Sequence, residues 1–364
     1  MEHKTSRRKI EHLELCAGSH VEARMVSPGF EDITLVHRAL PEINMDDIDM
    51  SVSLFGKKLD YPFLIASITG GHPETKAVNA ALAAAAEDMN IGIGVGSQRA
   101  AIDDRAQADS FSIVRDMAPT TLVYANVGAA QIREYGIGKV EEIVEMIDAD
   151  ALAIHLNFLQ EAIQPEGDRD ARHCLDIISE IVKSLKIPVF VKETGAGISR
   201  EDALLLKNAG VAGIDVGGVG GTSWAGVEVY RARDTGDAVG EHLGELFWDF
   251  GIPTAASIVE CKVSLPIIAT GGIRSGLDIA KSIALGASAA SAALPFVNPA
   301  LRGKEAVESK LKTMMQELRA AMFLTGCGSV SDLAGTPVTI GGQTLEYLTQ
   351  RGFNVRDYGV KDML

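Results

Sequence analysis

Apolar, β-rich runs in this 364-residue chain end repeatedly at residues that can carry charge or hydrogen-bond a ligand. The ends read Ser67-Ile68-Thr69-Gly70-Gly71, Gly96-Ser97-Gln98-Arg99, Asn126, His155-Leu156-Asn157, Lys192-Glu193 and Gly217-Gly218. Gly271-Gly272 and Ala293-Leu294 follow. The segment Gly271-Gly272-Ile273-Arg274-Ser275-Gly276 precedes a helical pattern. Backbone N–H groups in such a loop, at a helix N-terminus, suit a phosphate, and glycine lets the main chain approach it closely. A tight turn also explains a glycine pair; its place after the seventh run favours the anion. A phosphate there implies a phosphorylated cofactor or substrate.

Thr69, Ser97, Asn126 and Thr222 are uncharged hydrogen-bonding groups at other run ends. Singly, each reads as a turn or cap residue. As a set they suit the rim of a flavin ring and its ribityl chain. Lys192 closes the apolar run Pro188–Val191, and an ammonium at the end of a buried strand needs a partner. A flavin's N1/C2=O edge, a Schiff-base carbonyl or the Glu193 carboxylate would each serve. His155 and Asn157 alternate on one strand and so share a face, with Gln160 and Glu161 close behind. Glu161 is the metal candidate, because Mg²⁺ is commonly held by one or two carboxylates plus phosphate oxygens and water. Arg7-Arg8-Lys9 with His12 is a basic cluster in an acidic chain. It reads either as a solvated end or as an arm folding over a doubly charged phosphate, with Arg99 completing the pocket.

The elements that must position these groups alternate regularly. Phe63–Ala66, Ile91–Val95, Thr121–Ala125, Ala151–Leu156, Pro188–Val191, Gly213–Val216, Pro266–Ala269 and Ala287–Ala293 read as strands. Helical patterns cover Glu74–Met89, Ala106–Met117, Val140–Ile147, His173–Leu185, Arg200–Ala209, Leu243–Phe250, Ala255–Glu260, Leu277–Leu285 and Lys304–Leu324. Continuous apolar strands separated by helices imply a parallel sheet covered on both faces. Repetition of that unit favours an α/β fold closed as a (β/α)8 TIM barrel, whose active sites sit at the C-terminal ends of the strands. One domain is expected over residues 1–364, with an N-terminal arm and hairpin at 1–60, the barrel at 61–325 and a C-terminal tail at 326–364. Asp49–Leu54 is expected to pair with Lys57–Tyr61. The connections Asn157–Arg172 and Gly217–Gly240 are long and lie where binding loops belong.

The net charge of −15 argues against general nucleic-acid binding and against an anionic membrane surface. Cys16, Cys174, Cys261 and Cys327 show no C-x-x-C spacing, so buried thiols are expected rather than disulfides or zinc. No apolar run reaches membrane-spanning length, and the N-terminus lacks a signal-peptide pattern. A soluble cytoplasmic protein is expected.

Taken in order, Arg8-Lys9-Ile10-Glu11-His12, the Ser67–Gly71, Gly96–Arg99 and His155–Glu161 segments, Val191-Lys192-Glu193, Gly220-Gly221-Thr222-Ser223-Trp224 and Gly271–Arg274 resemble type 2 isopentenyl diphosphate isomerases. Each motif alone is unspecific; the ordered set, from about Arg7 to Leu324, is specific. The resemblance implies an FMN-dependent (β/α)8 enzyme interconverting isopentenyl and dimethylallyl diphosphate, using Mg²⁺ and FMN reduced by NADPH or NADH. It implies FMN contacts at Ser67, Ile68, Thr69, Ser97, Asn126, Lys192, Thr222, Gly271, Gly272, Arg274, Ala293 and Leu294. Substrate contacts fall on Arg8, Lys9, Ser97, Arg99, His155, Asn157 and Gln160, with Glu161 on the metal. It also implies a homotetramer or homo-octamer. Isomerising the alkene adds one proton and removes another, so a tertiary cation develops between the two carbons. Reduced flavin would place negative charge beside it and act as acid and base with no net redox. Gln160, with His155 and Asn157 nearby, would serve the C2 side.

The main rival is an FMN-barrel 2-hydroxy-acid oxidase. Such enzymes want a His base followed by Gly-Gly-Arg after strand six, where this chain reads Gly217-Gly218-Val219-Gly220-Gly221-Thr222. Nucleotide-oxidising barrels want a cysteine there, and none lies between Gly213 and Gly240. A non-catalytic flavin binder has no reason to gather Lys192, His155, Asn157, Gln160 and Glu161.

Overall fold

A computed structural model describes the backbone of residues 4–360 and the side chains from Arg8 to Val360, so the Arg7 side chain lies outside the described residues. Strands β1 (Ile33–Leu35), β2 (Val52–Leu54) and β3 (Lys57–Leu59) come first. Then follow β4 (Phe63–Ile65), β5 (Gly92–Gly94), β6 (Val123–Gly128), β7 (Ala151–Leu156), β8 (Val189–Glu193), β9 (Gly213–Asp215), β10 (Ile267–Thr270) and β11 (Ala289–Ala292). β12 (Val338–Ile340) lies in the tail. Strands β4 to β11 form a closed parallel barrel, sealed where Ala290 of β11 pairs with Phe63 of β4. Each run read as a barrel strand falls on one of them.

Side chains alternate across the barrel wall. Phe63 and Ile65 pack among the helices while Leu64 joins Leu122, Tyr124, Ala151, Phe190 and Ile268 in a separate interior cluster. Gly94 is required there, since a Cβ would lie 2.1 Å from the Tyr124 ring. Tyr124 meets Phe190 edge-on with centroids 5.2 Å apart. The β2–β3 hairpin turns on Phe55 (φ 50°) and Gly56 (φ 83°), the left-handed pair that a two-residue turn matched to strand twist demands. It presents Leu54, Phe55 and Leu59 to the interior cluster, with Phe55 stacked 4.9 Å from Phe190. The hairpin thereby plugs the N-terminal end of the barrel. It is shorter at both ends than the alternation suggested.

Register places Gly128 beside His155, His155 beside Lys192 and Lys192 beside Asp215. These groups therefore stand at one height near the C-terminal rim.

Several helices differ from their sequence reading. The arm is itself a helix, Lys4–Gly18. The pattern at Val140–Ile147 is the second half of Ala129–Met146, broken at Gly136 (φ 70°, ψ 174°). The helix read at Ala106–Met117 starts at Asp109, after a turn of 3-10 helix at Arg105–Gln107. Leu243–Phe250 is displaced to Ala238–Leu246. The connection after β9 contains the helix Trp224–Thr235, and the one after β7 the short helix Phe158–Ile163. Trp224–Thr235 escapes periodicity analysis because it is buried on several sides, at Ala225, Val227, Glu228, Val229 and Ala232. A helix covered all round shows no apolar stripe.

The tail lies against the barrel's helices. β12 pairs antiparallel with β1, Ile340 opposite Ile33. After the helix Gly342–Gln350, Arg351 reaches the buried Glu260 at the end of the helix Thr254–Glu260, Nε to Oε1 3.0 Å.

Candidate active site

One cavity opens at the C-terminal ends of the barrel strands, and every residue assigned above to flavin, substrate or metal lines it: Arg8, Lys9, Ser67, Ile68, Thr69, Ser97, Arg99, Asn126, His155, Asn157, Gln160, Glu161, Lys192, Thr222, Gly271, Gly272, Arg274, Ala293 and Leu294.

The glycine side of the cavity is built from the β10 and β11 ends. Gly271 and Gly272 hold φ of 112° and 71°, values that L side chains rarely adopt. The next helix, Gly276–Leu285, does not offer its N-terminus to an anion as the sequence suggested. Asp278 Oδ2 accepts from the N–H groups of Arg274 and Ser275, both at 3.0 Å, and Glu317 accepts from Gly276 N–H at 2.7 Å. Among the described residues no hydrogen bond falls on the N–H groups of Gly271, Gly272, Ala293 or Leu294. Thr69 Oγ1 is likewise buried with no partner. Donors for a phosphate and a hydroxyl for a polyol chain are therefore present, which is what FMN asks of a site. The Arg274 guanidinium is engaged by Glu22, with Nε–Oε1 at 3.1 Å.

The opposite side is cationic. The N-terminal helix brings Arg8 and Lys9 to the cavity, where Arg99 follows Ser97. Burial of its ammonium, then the Arg8 and Arg99 guanidiniums, push Lys9 down to about 7, although the residue as a whole is only partly buried. The Nε atoms of Arg8 and Arg99 are buried without hydrogen-bond partners. Like charges crowded this way call for an anion.

Between these walls runs a strip from β6, β7 and the helix Phe158–Ile163. Asn126 donates through Nδ2 to the Val95 carbonyl at 3.1 Å, leaving Oδ1 to face His155 Nδ1 at 2.8 Å. That contact puts the His155 proton on Nδ1 and leaves Nε2 as an acceptor. Burial, then Lys192 and Lys9, hold His155 well below the ordinary imidazole range, so it is neutral. Glu161 accepts from Asn157 Nδ2 at 3.0 Å, Gln164 Nε2 at 2.5 Å and Asp168 N–H at 2.8 Å. No cluster of three or more His, Cys, Asp or Glu that could hold a metal occurs among the described residues. The three donors hold the Glu161 carboxylate in place, and one oriented carboxylate can serve a Mg²⁺ whose other ligands are phosphate oxygens and water.

Lys192 stands on the barrel side of the cavity. Its Nζ donates to the Glu193 carbonyl oxygen at 3.0 Å. The Glu193 carboxylate instead accepts from the N–H groups of Thr194, Gly195 and Ala196 at 2.5 to 2.6 Å, so the side-chain salt bridge considered for Lys192 is not formed. Burial lowers Lys192 below the usual lysine range, with Asp215 and Glu193 pulling the other way. Burial raises Glu193 to about 7 and Asp215 to about 6.

Sequence reasoning missed Glu228. It is buried on Trp224–Thr235, accepts from Gln160 Nε2 at 2.8 Å and lies 3.5 Å from His12 Nε2. Burial raises it, but His12 and Arg231 outweigh that and hold it down at about 2. Its only sequence signal is an acid in an apolar stretch, which any surface helix also shows. Trp224 was noted as part of a motif without a role; it meets His12 edge-on at 5.1 Å and closes the cavity beside Leu13.

The comparisons with known proteins agree with this barrel. A family described as FMN-dependent dehydrogenase matches residues 1–120 and 157–339. Among solved structures, a mandelate oxidase is 19% identical with a TM-score of 0.61, covering 93% of this chain and 98% of its own. A lactate oxidase from Pediococcus acidilactici is 16% identical with a TM-score of 0.66, over 93% of each chain. At that identity the likeness is one of fold. The class is therefore an FMN-dependent barrel. Isopentenyl-diphosphate delta-isomerases are far more similar: that of Methanosarcina acetivorans is 71% identical over 98% of both chains. The one from Methanococcoides burtonii is 64% identical over 99% of both, and that of Archaeoglobus fulgidus 55% over 96% of this chain and 99% of its own. This chain belongs to the FMN-dependent, type 2 isopentenyl-diphosphate delta-isomerase family.

Proposed function

We propose that this chain interconverts isopentenyl and dimethylallyl diphosphate, with reduced FMN and Mg²⁺ as cofactors and NADPH as the external reductant. One observation carries the reading: a cationic wall at Arg8, Lys9 and Arg99 and a glycine-amide loop face each other across a strip of neutral polar groups. That arrangement holds two phosphorylated molecules at once, with their uncharged parts in contact.

Arg8, Lys9 and Arg99 hold the diphosphate, joined by Ser97, His155 and Asn157. Glu161 anchors Mg²⁺, and Asn157 and Gln164 fix its carboxylate. The unpartnered amides of Gly271, Gly272, Ala293 and Leu294 hold the FMN phosphate, with Arg274 at the rim. Ser67, Ile68, Thr69, Asn126 and Thr222 line the ribityl chain and ring, and Lys192 lies at the electron-rich edge. Reduced FMN, when bound, supplies negative charge and acid–base capacity against the developing cation. Gln160 donates an Nε2–H hydrogen bond to the Glu228 carboxylate, which turns Oε1 toward the cavity on the C2 side. A neutral amide is a poor base, so Gln160 orients more than it abstracts. Trp224, Leu13 and the N-terminal helix keep water from trapping the cation. The loop after β9 carries no imidazole to take a hydroxy-acid proton, which separates this reading from the oxidases that share the fold.

The test is incubation of isopentenyl diphosphate in D₂O with the chain, dithionite-reduced FMN and Mg²⁺, each omitted in turn. Deuterium entry with conversion to the isomer only in the full mixture is expected. Equal conversion with oxidised FMN overturns the acid–base role. Normal turnover with reduced 5-deaza-FMN excludes N5 as the proton carrier. Sedimentation of the purified chain measures the tetramer or octamer that the reading carries.

A further inference from the structure

The helix Thr254–Glu260 starts directly behind the glycine loop. Thr254 is fully buried and does not line the cavity. Its hydroxyl lies 2.8 Å from the Gly271 carbonyl oxygen, against 3.2 Å for Val219 and 3.5 Å for Thr270. A hydroxyl has one proton to give, and Gly271 is the nearest acceptor. In a trans peptide the carbonyl and the following N–H point in opposite directions, and the described residues contain no cis peptide. Fixing the Gly271 carbonyl onto Thr254 therefore turns the Gly272 N–H away from the helix. That N–H has no protein acceptor.

The packing leaves the loop little other freedom. A Cβ on Gly271 would lie 2.5 Å from Thr254 Oγ1 and 2.2 Å from the Gly218 carbonyl oxygen. A Cβ on Gly218 would lie 2.5 Å from Thr254 Oγ1. The far end of the helix is held too, since Glu260 accepts from Arg200 N–H at 2.7 Å and from Tyr347 Oη at 2.8 Å.

We infer that Thr254 is a positioning residue for the flavin phosphate, its hydroxyl setting the Gly271–Gly272 peptide so that the Gly272 N–H is aimed at the anion. The inference rests on the FMN reading above. Thr254→Val keeps the shape and removes the donor. Thr254→Ser keeps the donor. Thr254→Ala removes the donor with no new bulk, should valine prevent folding.

The experiment titrates apoprotein with FMN and with riboflavin, which lacks the phosphate, and reads dissociation constants by flavin fluorescence. For Thr254→Val and Thr254→Ala, FMN binding is expected to weaken about tenfold with riboflavin binding unchanged, and Thr254→Ser to restore FMN binding. FMN affinity unchanged in the valine and alanine variants overturns the inference. So does an equal loss for both flavins, which would mark Thr254 as merely structural. Wild-type protein that binds riboflavin as tightly as FMN would overturn the phosphate-site reading itself, and Thr254's role with it.

Discussion

Lys9 shows how a single residue sets a pH dependence. Burial and its two arginine neighbours bring it down to about 7 in the free site. Below that pH the ammonium is charged; above it the charge is lost, and an anion must draw a proton back to bind. The KM for the diphosphate is therefore expected to rise by up to about tenfold per pH unit above 7, with kcat nearly flat. Lys9→Arg should flatten that rise, because a guanidinium stays charged throughout. Steady-state kinetics between about pH 6 and 9 measure both. Glu161 makes a different prediction. Glu161→Gln keeps the size but removes the charge, so the Mg²⁺ concentration for half-maximal turnover should rise about tenfold. FMN affinity, read by fluorescence titration, should hold. If the Mg²⁺ requirement stays put, Glu161 is not the metal's anchor.

At the scale of elements, the break in Ala129–Met146 tests whether backbone conformation or packing rules. Gly136 sits at φ 70°, ψ 174°, with nothing near the position of a Cβ. Gly136→Ala meets no clash, so any loss is backbone strain, about 1–3 kcal/mol. Gly138 is also open but is not at positive φ, and Gly138→Ala should stabilise by about 0.5 kcal/mol. Urea unfolding of the two variants should move in opposite directions. The helix Trp224–Thr235 matters more for chemistry, because it carries Glu228 behind Gln160 and Trp224 over the cavity. Ser223 caps it by accepting from Gly226 N–H at 3.0 Å. Gly226 admits the Trp248 ring, which a Cβ would approach to 2.5 Å.

For the whole molecule, the ends of the chain brace opposite parts of the site. The N-terminal helix supplies Arg8 and Lys9 to the cationic wall and ties down through Arg8 to Glu166 at 3.3 Å. The tail grips Glu260, which is fully buried, through Arg351 and Tyr347. Arg351→Met leaves that buried carboxylate with less compensation, and the thermal unfolding midpoint should fall. Glu260→Gln in the same background should recover part of the loss; calorimetry of the single and double variants reads the coupling. No helix among the described residues is long and apolar enough to cross a membrane.

By itself the sequence determined the barrel, and the residues it assigned to the site all line the cavity, while Leu13, Gln131, Gln164, Ser291 and Val297 join that lining without a local signal. Strand ends are visible because an apolar run must stop where its chain leaves the core, so Thr69, Asn126, His155 and Lys192 announce themselves locally. Tertiary structure alone decided what stands behind those residues. Glu228 reaches Gln160 across 68 positions and Thr254 reaches Gly271 across 17, and neither contact leaves a periodic trace. The Gly271–Gly276 segment read as a helix end open to a phosphate, yet the side chains of Asp278 and Glu317 accept from that end's N–H groups and close it to an anion. Local pattern records which groups a strand delivers. Their protonation and aim depend on buried neighbours, which the chain brings together only by closing the barrel.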